Sequence, residues 1–339
     1  MYYHNISWNI QTTNDCFLDC DYCMTAESNK MRLKAPVRNV AEALRLSKGF
    51  QSVFMVFIGG EPLMSGKEWF KEAFKLLEVH PVKVQPRIYT NGHLLDDEWR
   101  DLLSSNNCQV VFSYDGLGNG AKGSKRSYAK LCQYFKLITY ATMTLNIHNY
   151  KGLIDCYREV SEAGVKRFAL QFDIYATSEQ MSMFGKEVCK LFKYIEENPN
   201  GARFSTYTDI QSLLKGGRKP LSNEFEAPVM NNDWCVNAAG ELTIGVPDSA
   251  DPDWQFGNIK DIRHINDVVF TDRMRKINED FIESLNYIGE FEDVNRLTNG
   301  GGFFFDKKGI MPMNRPNFPK LHAYRELFNY FKRENEWLS

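Results

Sequence analysis

Three cysteines crowd into the stretch Asn14-Asp15-Cys16-Phe17-Leu18-Asp19-Cys20-Asp21-Tyr22-Cys23, with the spacing C-x3-C-x2-C. Thiolates this close on one loop can converge on a single metal centre. A structural zinc site takes four ligands, and no second CxxC or HxxxH pair completes one here. Soft thiolates and a missing fourth ligand point to an iron-sulfur cluster with one iron left open for chemistry. A redox pair at Cys20 and Cys23 is the competing reading; it leaves Cys16 without a purpose and lacks a thioredoxin-like context. Eight cysteines in 339 residues are too sparse for a secreted disulfide scaffold, so bridges are not expected.

Further polar signatures follow at the ends of apolar runs. Gly59-Gly60-Glu61-Pro62 comes directly after one, where glycines let a ligand approach the backbone and Glu61 offers an acceptor to a cation. Thr90-Asn91-Gly92 and Ser113-Tyr114-Asp115-Gly116 end two more. Each alone reads as an ordinary turn. His80, His93 and His148 lack ligand spacing and read as surface or rim residues.

The elements that must position these groups repeat one rhythm, an apolar β-branched or aromatic run, a polar turn, then a helical pattern. Strands are expected at Ile6 to Thr12, Ser52 to Ile58, Val84 to Tyr89, Gln109 to Tyr114, Ala141 to Ile147 and Arg167 to Phe172. Helices are expected at Val40 to Lys48, Glu68 to Glu78, Asp96 to Ser104, Ser127 to Leu137, Gly152 to Ala163 and Ser178 to Glu196. Asp96 has the character of an N-cap, and Gly164 that of a closing glycine. The alternation predicts an α/β fold, a partial (β/α)6 TIM-like barrel with a parallel sheet and helices on its outer face. Ligands in such folds gather at the carboxyl ends of the strands, where the polar signatures lie.

After about Asn198, glycine and proline punctuate the chain and the alternation is expected to stop. The expected division is residues 1-198 for the barrel and 199-339 for a smaller C-terminal α+β extension. Within the latter, WCVNAAGELTIGVPDS reads as a hairpin turning at Ala239-Gly240, Gly300 to Gly302 as a flexible loop, and Lys320 to Trp337 as an amphipathic closing helix.

The Cys triplet, with the aromatic Tyr22 before its third cysteine, resembles the radical S-adenosylmethionine (radical SAM) superfamily, and the resemblance runs over residues 5 to 175. It implies one 4Fe-4S cluster on Cys16, Cys20 and Cys23. It also implies that S-adenosyl-L-methionine (SAM) lies along Gly59, Gly60, Glu61 and Pro62, whose backbone receives the methionine amino group. Thr90, Asn91, Ser113 and Asp115 would border the same site. Lys122 or Arg126 would supply a base for the SAM carboxylate, and Asn146 and Gln171, on the fifth and sixth strands, would face the same rim.

Beyond the barrel, Asp233-Trp234-Cys235, Gly240 and Phe256-Gly257-Asn258-Ile259 are similar to the start and end of the SPASM or twitch extensions of peptide- and protein-modifying members. Here the auxiliary-cluster cysteines are missing: Gly245 stands at an expected Cys position, and no cysteine follows Cys235. Cys235 is expected to be a lone thiol near the active site, able to give or take a hydrogen atom. The competing reading makes it a small buried hydrophobe beside Trp234.

The implied reaction is an oxidoreductase-type one, reductive cleavage of SAM to methionine and a 5'-deoxyadenosyl radical that abstracts a hydrogen atom from a substrate carbon. Modification of a peptide or protein is the leading expectation. A small-molecule enzyme acting on a nucleoside, sugar or amino acid is the alternative, and a non-catalytic iron-sulfur protein the remote one. No leader-recognition module is expected ahead of Ile6. A one-electron reductant such as flavodoxin or ferredoxin is the expected partner. Net charge of -2 without a long basic run gives no sign of nucleic-acid binding, and the absence of both an 18-residue apolar stretch and a signal-like start predicts no membrane span and a cytoplasmic protein.

Overall fold

Strand β1 (Asn5–Thr13) buries Ile6, Trp8 and Ile10 on one face and leaves Ser7 and Asn9 half-buried on the other. That alternation orients the whole molecule, because it gives the sheet one face for helices and one for ligands. The structure, a computed structural model, describes residues 5–23, 32–173, 175–214, 232–244, 254–285, 303–306, 309–312 and 319–334. Gly245 and the expected glycine loop at residues 300–302 lie outside the described residues.

Strands β2 (Ser52–Gly59), β3 (Val84–Thr90), β4 (Gln109–Ser113), β5 (Ile138–Leu145) and β6 (Arg167–Phe172) follow β1 in parallel, each paired with the one before. Between them run helices α1 (Arg38–Leu46), α2 (Lys67–Glu78), α3 (Asp97–Ser105), α4 (Lys125–Tyr134) and α5 (Leu153–Glu162), and α6 (Ser178–Glu197) follows β6. Their starts have local causes. Asp96 Oδ1 accepts the Trp99 N–H at 2.8 Å, and Thr177 and Gln180 form a reciprocal capping box at the head of α6. At the end of α5, the Gly164 N–H closes on the Ser161 carbonyl.

The helices cover one face of the sheet. Phe57 of β2 meets Trp69, Phe70 and Phe74 of α2 with ring centroids 5.8, 5.2 and 6.0 Å apart, and each such ring contributes roughly 1.5–3 kcal/mol by burial. The opposite face is the more open one among the described residues: Phe54 and Ile58 of β2, Tyr89 of β3 and Tyr140 of β5 are half-buried, although Val56 of β2 and Val111 of β4 are buried. A parallel sheet normally has both faces covered, so a partly accessible face leaves room for ligands.

Two features depart from the expectations. The alternation does not stop at Asn198: β7 (Arg203–Phe204) pairs parallel with β6 and leads into α7 (Ser205–Leu214). A two-residue strand is too short to show a period. Strand β5 begins three residues earlier and ends two earlier than expected, which leaves Asn146 past its end.

The hairpin forms as β8 (Asp233–Val236) and β9 (Glu241–Ile244), and β8 also pairs in parallel with β1. With β10 (Gln255–Asn258) it extends one ten-stranded sheet in the order β10-β9-β8-β1-β2-β3-β4-β5-β6-β7. Helices α8 (Asn266–Val269) and α9 (Asp272–Leu285) follow, then a separate β11 (Phe303–Asp306) and β12 (Gly309–Pro312) pair. The closing helix α10 (Pro319–Glu334) lies on α6, where Ser182 Oγ donates to Glu326 Oε1 at 2.7 Å. No helix among the described residues is long and apolar enough to cross a membrane.

Candidate active site

The cysteine loop starts from an anchored strand end. Asn14 is buried, with its N–H on the Leu33 carbonyl at 3.0 Å and its Oδ1 accepting the Leu33 N–H at 2.5 Å. Cys16, Cys20 and Cys23 follow, half-buried and in no disulfide, and the Cys23 N–H closes a turn on the Cys20 carbonyl at 2.9 Å. Burial pushes the Cys16 thiol up to about 11; the Leu18 N–H opposes this, while Glu61, Cys20 and Cys23 add to it. Burial also raises Cys20, against the pull of Lys122. The three thiols thus feel one another's charge. Among the described residues, no three His, Cys, Asp or Glu side chains are drawn together as around one ion. A cluster asks for a wider arrangement, since each thiolate takes its own iron. Three accessible soft donors on one loop fit such a group.

The Gly59-Gly60-Glu61-Pro62 segment packs against that loop. A Cβ on Gly59, whose φ is +148°, would stand 2.0 Å from the Thr13 carbonyl oxygen, and one on Gly60 would stand 2.2 Å from that of Asp15. The close approach is therefore made by the chain's own β1 end, with the Gly60 N–H on the Thr13 carbonyl at 2.9 Å and the Glu61 N–H on Asp15 at 2.8 Å. Glu61 is 1% exposed. Its Oε1 accepts the Leu63 N–H at 3.1 Å and the Thr90 hydroxyl at 2.7 Å, and its Oε2 accepts the Asn91 N–H at 2.8 Å. Burial raises its pKa, partly offset by those bonds. Two of these bonds join the β2 and β3 ends and the third caps the turn after Glu61, roles not apparent when Glu61 is read only as an acceptor for a ligand cation. Pro62 is buried beside it, its carbonyl accepting the Thr12 hydroxyl at 3.4 Å.

The third part of the rim is charged. Tyr22 of the cysteine loop donates its hydroxyl to Asp115 Oδ2, and the Lys122 Nζ sits 5.0 Å from the Tyr22 ring centroid. Asp115 is buried and its pKa is raised by that burial, with Lys122 and Tyr22 opposing. Of the two expected bases, Lys122 acts on Cys20, Glu61 and Asp115, whereas Arg126 is exposed and donates to the His93 carbonyl at 3.0 Å. His93 lies 5.5 Å from the Phe17 ring and 2.6 Å from Ser127 Oγ, which makes it part of the rim.

Thr90, Asn91 and Ser113 stand at their strand ends as expected. Asn146 is buried past the end of β5, and its side chain closes a turn, accepting the His148 N–H at 2.8 Å and donating to the Thr144 carbonyl at 3.3 Å. Gln171 lies on β6 and is exposed. Cys235 is 1% exposed and stands opposite Asn9 of β1 and Thr243 of β9. Trp234 next to it belongs to the helix-covered core, so Cys235 falls on the open-face side of the sheet with Asn9.

A parallel half-barrel with soft thiols, a buried acid and a lysine at adjacent carboxyl strand ends defines a cofactor-dependent enzyme of the α/β barrel class. Residues 10–176 match the Radical SAM superfamily, and the chain carries a radical SAM domain, whose cofactors are a 4Fe-4S cluster and SAM. Among curated relatives, the cysteine-type anaerobic sulfatase-maturating enzyme of Clostridium perfringens is 31% identical over 116 residues, 31% of each chain. The serine-type anaerobic sulfatase-maturating enzyme of Bacteroides thetaiotaomicron is 30% identical over 173 residues, 42% of each. The matches thus span from just under a third to under half of those relatives' lengths. Among solved structures, native anSMEcpe with bound AdoMet and the Kp18Cys peptide shares the fold with TM-score 0.77 at 18% identity, over 97% of this chain and 98% of that one. Streptococcus suis SuiB bound to S-adenosylmethionine shares it with TM-score 0.57 at 14% identity, over 80% of this chain and 65% of that one.

Proposed function

We propose that this chain is a radical SAM enzyme that abstracts a hydrogen atom from a carbon of a peptide or protein substrate. The observation that carries the reading is the meeting of the cysteine loop with Glu61 and with the Tyr22, Asp115 and Lys122 group at neighbouring strand ends. Cys16, Cys20 and Cys23 would hold the cluster. When bound, cluster and SAM together supply one-electron cleavage of the sulfonium and hydrogen abstraction from an unactivated carbon.

The remaining work falls to this chain's own side chains. Lys122 brings positive charge to the edge of the cysteine loop, where it would meet the SAM carboxylate. Tyr22, held by Asp115, fixes the third cysteine's approach. Glu61 holds the β2 and β3 ends together, so that Gly60 and Asn91 would present their backbone carbonyls to the methionine ammonium. Cys235 would supply a hydrogen atom from the open-face side. The peptide reading is supported by relatives named sulfatase-maturating enzymes and by a similar fold holding AdoMet with a peptide.

Anaerobic reconstitution with iron and sulfide, followed by SAM and a one-electron reductant, should yield 5'-deoxyadenosine. Loaded protein that binds SAM without cleaving it would overturn the reading. Deuterium carried from a labelled candidate peptide into 5'-deoxyadenosine would establish the substrate class, and deuterium carried instead from a nucleoside, sugar or amino acid would replace it.

A further inference from the structure

Three arginines on the outer helices pair with acids: Arg45 with Glu42 at 2.7 Å, Arg100 with Asp97 at 2.8 Å and Arg158 with Asp155 at 2.7 Å. The open face of the sheet carries three that do not. Alternation sets Arg87 of β3, Arg167 of β6 and Arg203 of β7 on the face opposite the helix-packed Ile88, Phe168 and Phe204. Among the described residues, no carboxylate pairs with any of the three.

Register and contact link the three stepwise along the sheet, Arg87 and Arg167 through Tyr140 and Arg167 to Arg203 by strand pairing. Arg87 stands opposite Gln109 and donates twice to its Oε1, at 3.0 and 2.8 Å. The Arg167 guanidinium lies 5.7 Å from the Tyr140 ring centroid, and the Tyr140 and Tyr89 hydroxyls are 2.9 Å apart. Burial raises the Tyr140 hydroxyl and Tyr89 adds to this, while Arg87 and Arg167 both oppose, so both guanidiniums act on one phenol. Arg167 stands directly opposite Arg203, whose guanidinium, among the described residues, donates to the Thr208 hydroxyl at 3.3 Å. Like charges facing each other across strands repel, and a bound anion removes that repulsion.

Arg167, Arg203 and Gln109 are the first residues of their strands and Tyr89 is the last but one of β3, so the cluster starts at the amino ends of β4, β6 and β7 and reaches toward the carboxyl end of β3. From Arg167 to Phe172 the strand climbs roughly 16 Å, at about 3.3 Å per residue. Extended peptide covers that height in about five residues.

We propose that Arg87, Arg167 and Arg203, with Tyr89, Tyr140 and Gln109, bind an acidic side chain of the peptide substrate within about five residues of the carbon that loses hydrogen. The proposal rests on the peptide reading above. Charge-assisted, forked guanidinium contacts suit a carboxylate held in this way.

The test uses the cluster-loaded, SAM-bound protein and two fluorescein-labelled dodecapeptides that differ only in an Asp-Glu pair replaced by Asn-Gln. Fluorescence anisotropy at low salt should show the acidic peptide binding about tenfold tighter, an advantage that shrinks as salt rises. Arg87→Gln with Arg167→Gln should abolish the difference; Arg158→Gln, on the outer surface, should keep it. Circular dichroism verifies that the double variant folds, and its unchanged formation of 5'-deoxyadenosine separates failure here from failure of the cofactor reading. Equal binding of the two peptides by wild-type protein overturns the proposal, as does an advantage that survives in the double variant. Displacement of the acidic peptide by inorganic phosphate at concentrations near the peptide's own Kd would assign the cluster to a free anion and also overturn it. Deuterium transfer from a neutral peptide at an undiminished rate would reject the acidic contact while leaving the peptide reading in place.

Discussion

Glu61 Oε2 and the backbone N–H of Asn91 stand 2.8 Å apart, so one buried carboxylate ties the loop after β2 to the end of β3. Glu61→Gln keeps the shape but turns one acceptor oxygen into a donor facing the Thr90, Leu63 or Asn91 donors. Stability should fall by about 1–3 kcal/mol, and SAM binding should weaken with it. Thermal melts and SAM titration verify this. Unchanged melting with normal SAM affinity would show that the carboxylate does not hold the two strand ends together.

Gly60→Ala places a methyl 2.2 Å from the Asp15 carbonyl, next to the first cysteine. The cysteine loop must then shift, at a cost of about 1–3 kcal/mol, and cluster loading should drop together with stability. Iron content after anaerobic reconstitution is the measurement, and full loading at wild-type stability would contradict the geometry.

Wild-type protein should bind about four irons per chain, because one loop alone shows cluster spacing. Cys16→Ala, Cys20→Ala or Cys23→Ala should each remove most of that iron, whereas Cys235→Ala should keep it. A count of about eight would mean that other cysteines assemble a second cluster.

Tyr22→Phe removes the hydroxyl that serves the buried Asp115. The unserved carboxylate should destabilise the loop by about 1–3 kcal/mol, while Asp115→Asn, which can still accept, should lose less. Electron paramagnetic resonance of the reduced cluster should change on SAM addition in wild type and respond less in Tyr22→Phe. Equal spectra for the two proteins would remove Tyr22 from the SAM site.

Cys235→Ala should still cleave SAM if the thiol gives a hydrogen atom after abstraction, but it should leave a substrate radical visible by electron paramagnetic resonance and an altered product. Unchanged product and no trapped radical would leave Cys235 as a buried packing residue on β8.

The sequence by itself determined whatever is written within a short window. Thiol spacing at Cys16, Cys20 and Cys23, the glycine pair before Glu61 and the strand periods are local signals, and the six expected parallel strands formed with their signatures at the carboxyl ends. Tertiary structure decided the rest. Whether Lys122 or Arg126 faces the cysteine loop depends on how a short turn and α4 lie over β4, which no window records. Adding the hairpin to β1, with Asn9 Nδ2 donating to Asp233 Oδ1 at 2.7 Å, joins residues 224 positions apart. The arginine cluster has the same origin: Arg87, Arg167 and Arg203 are ordinary surface charges in the linear chain. They become a single group because parallel register lines up strands whose sequences carry no mark of their neighbours.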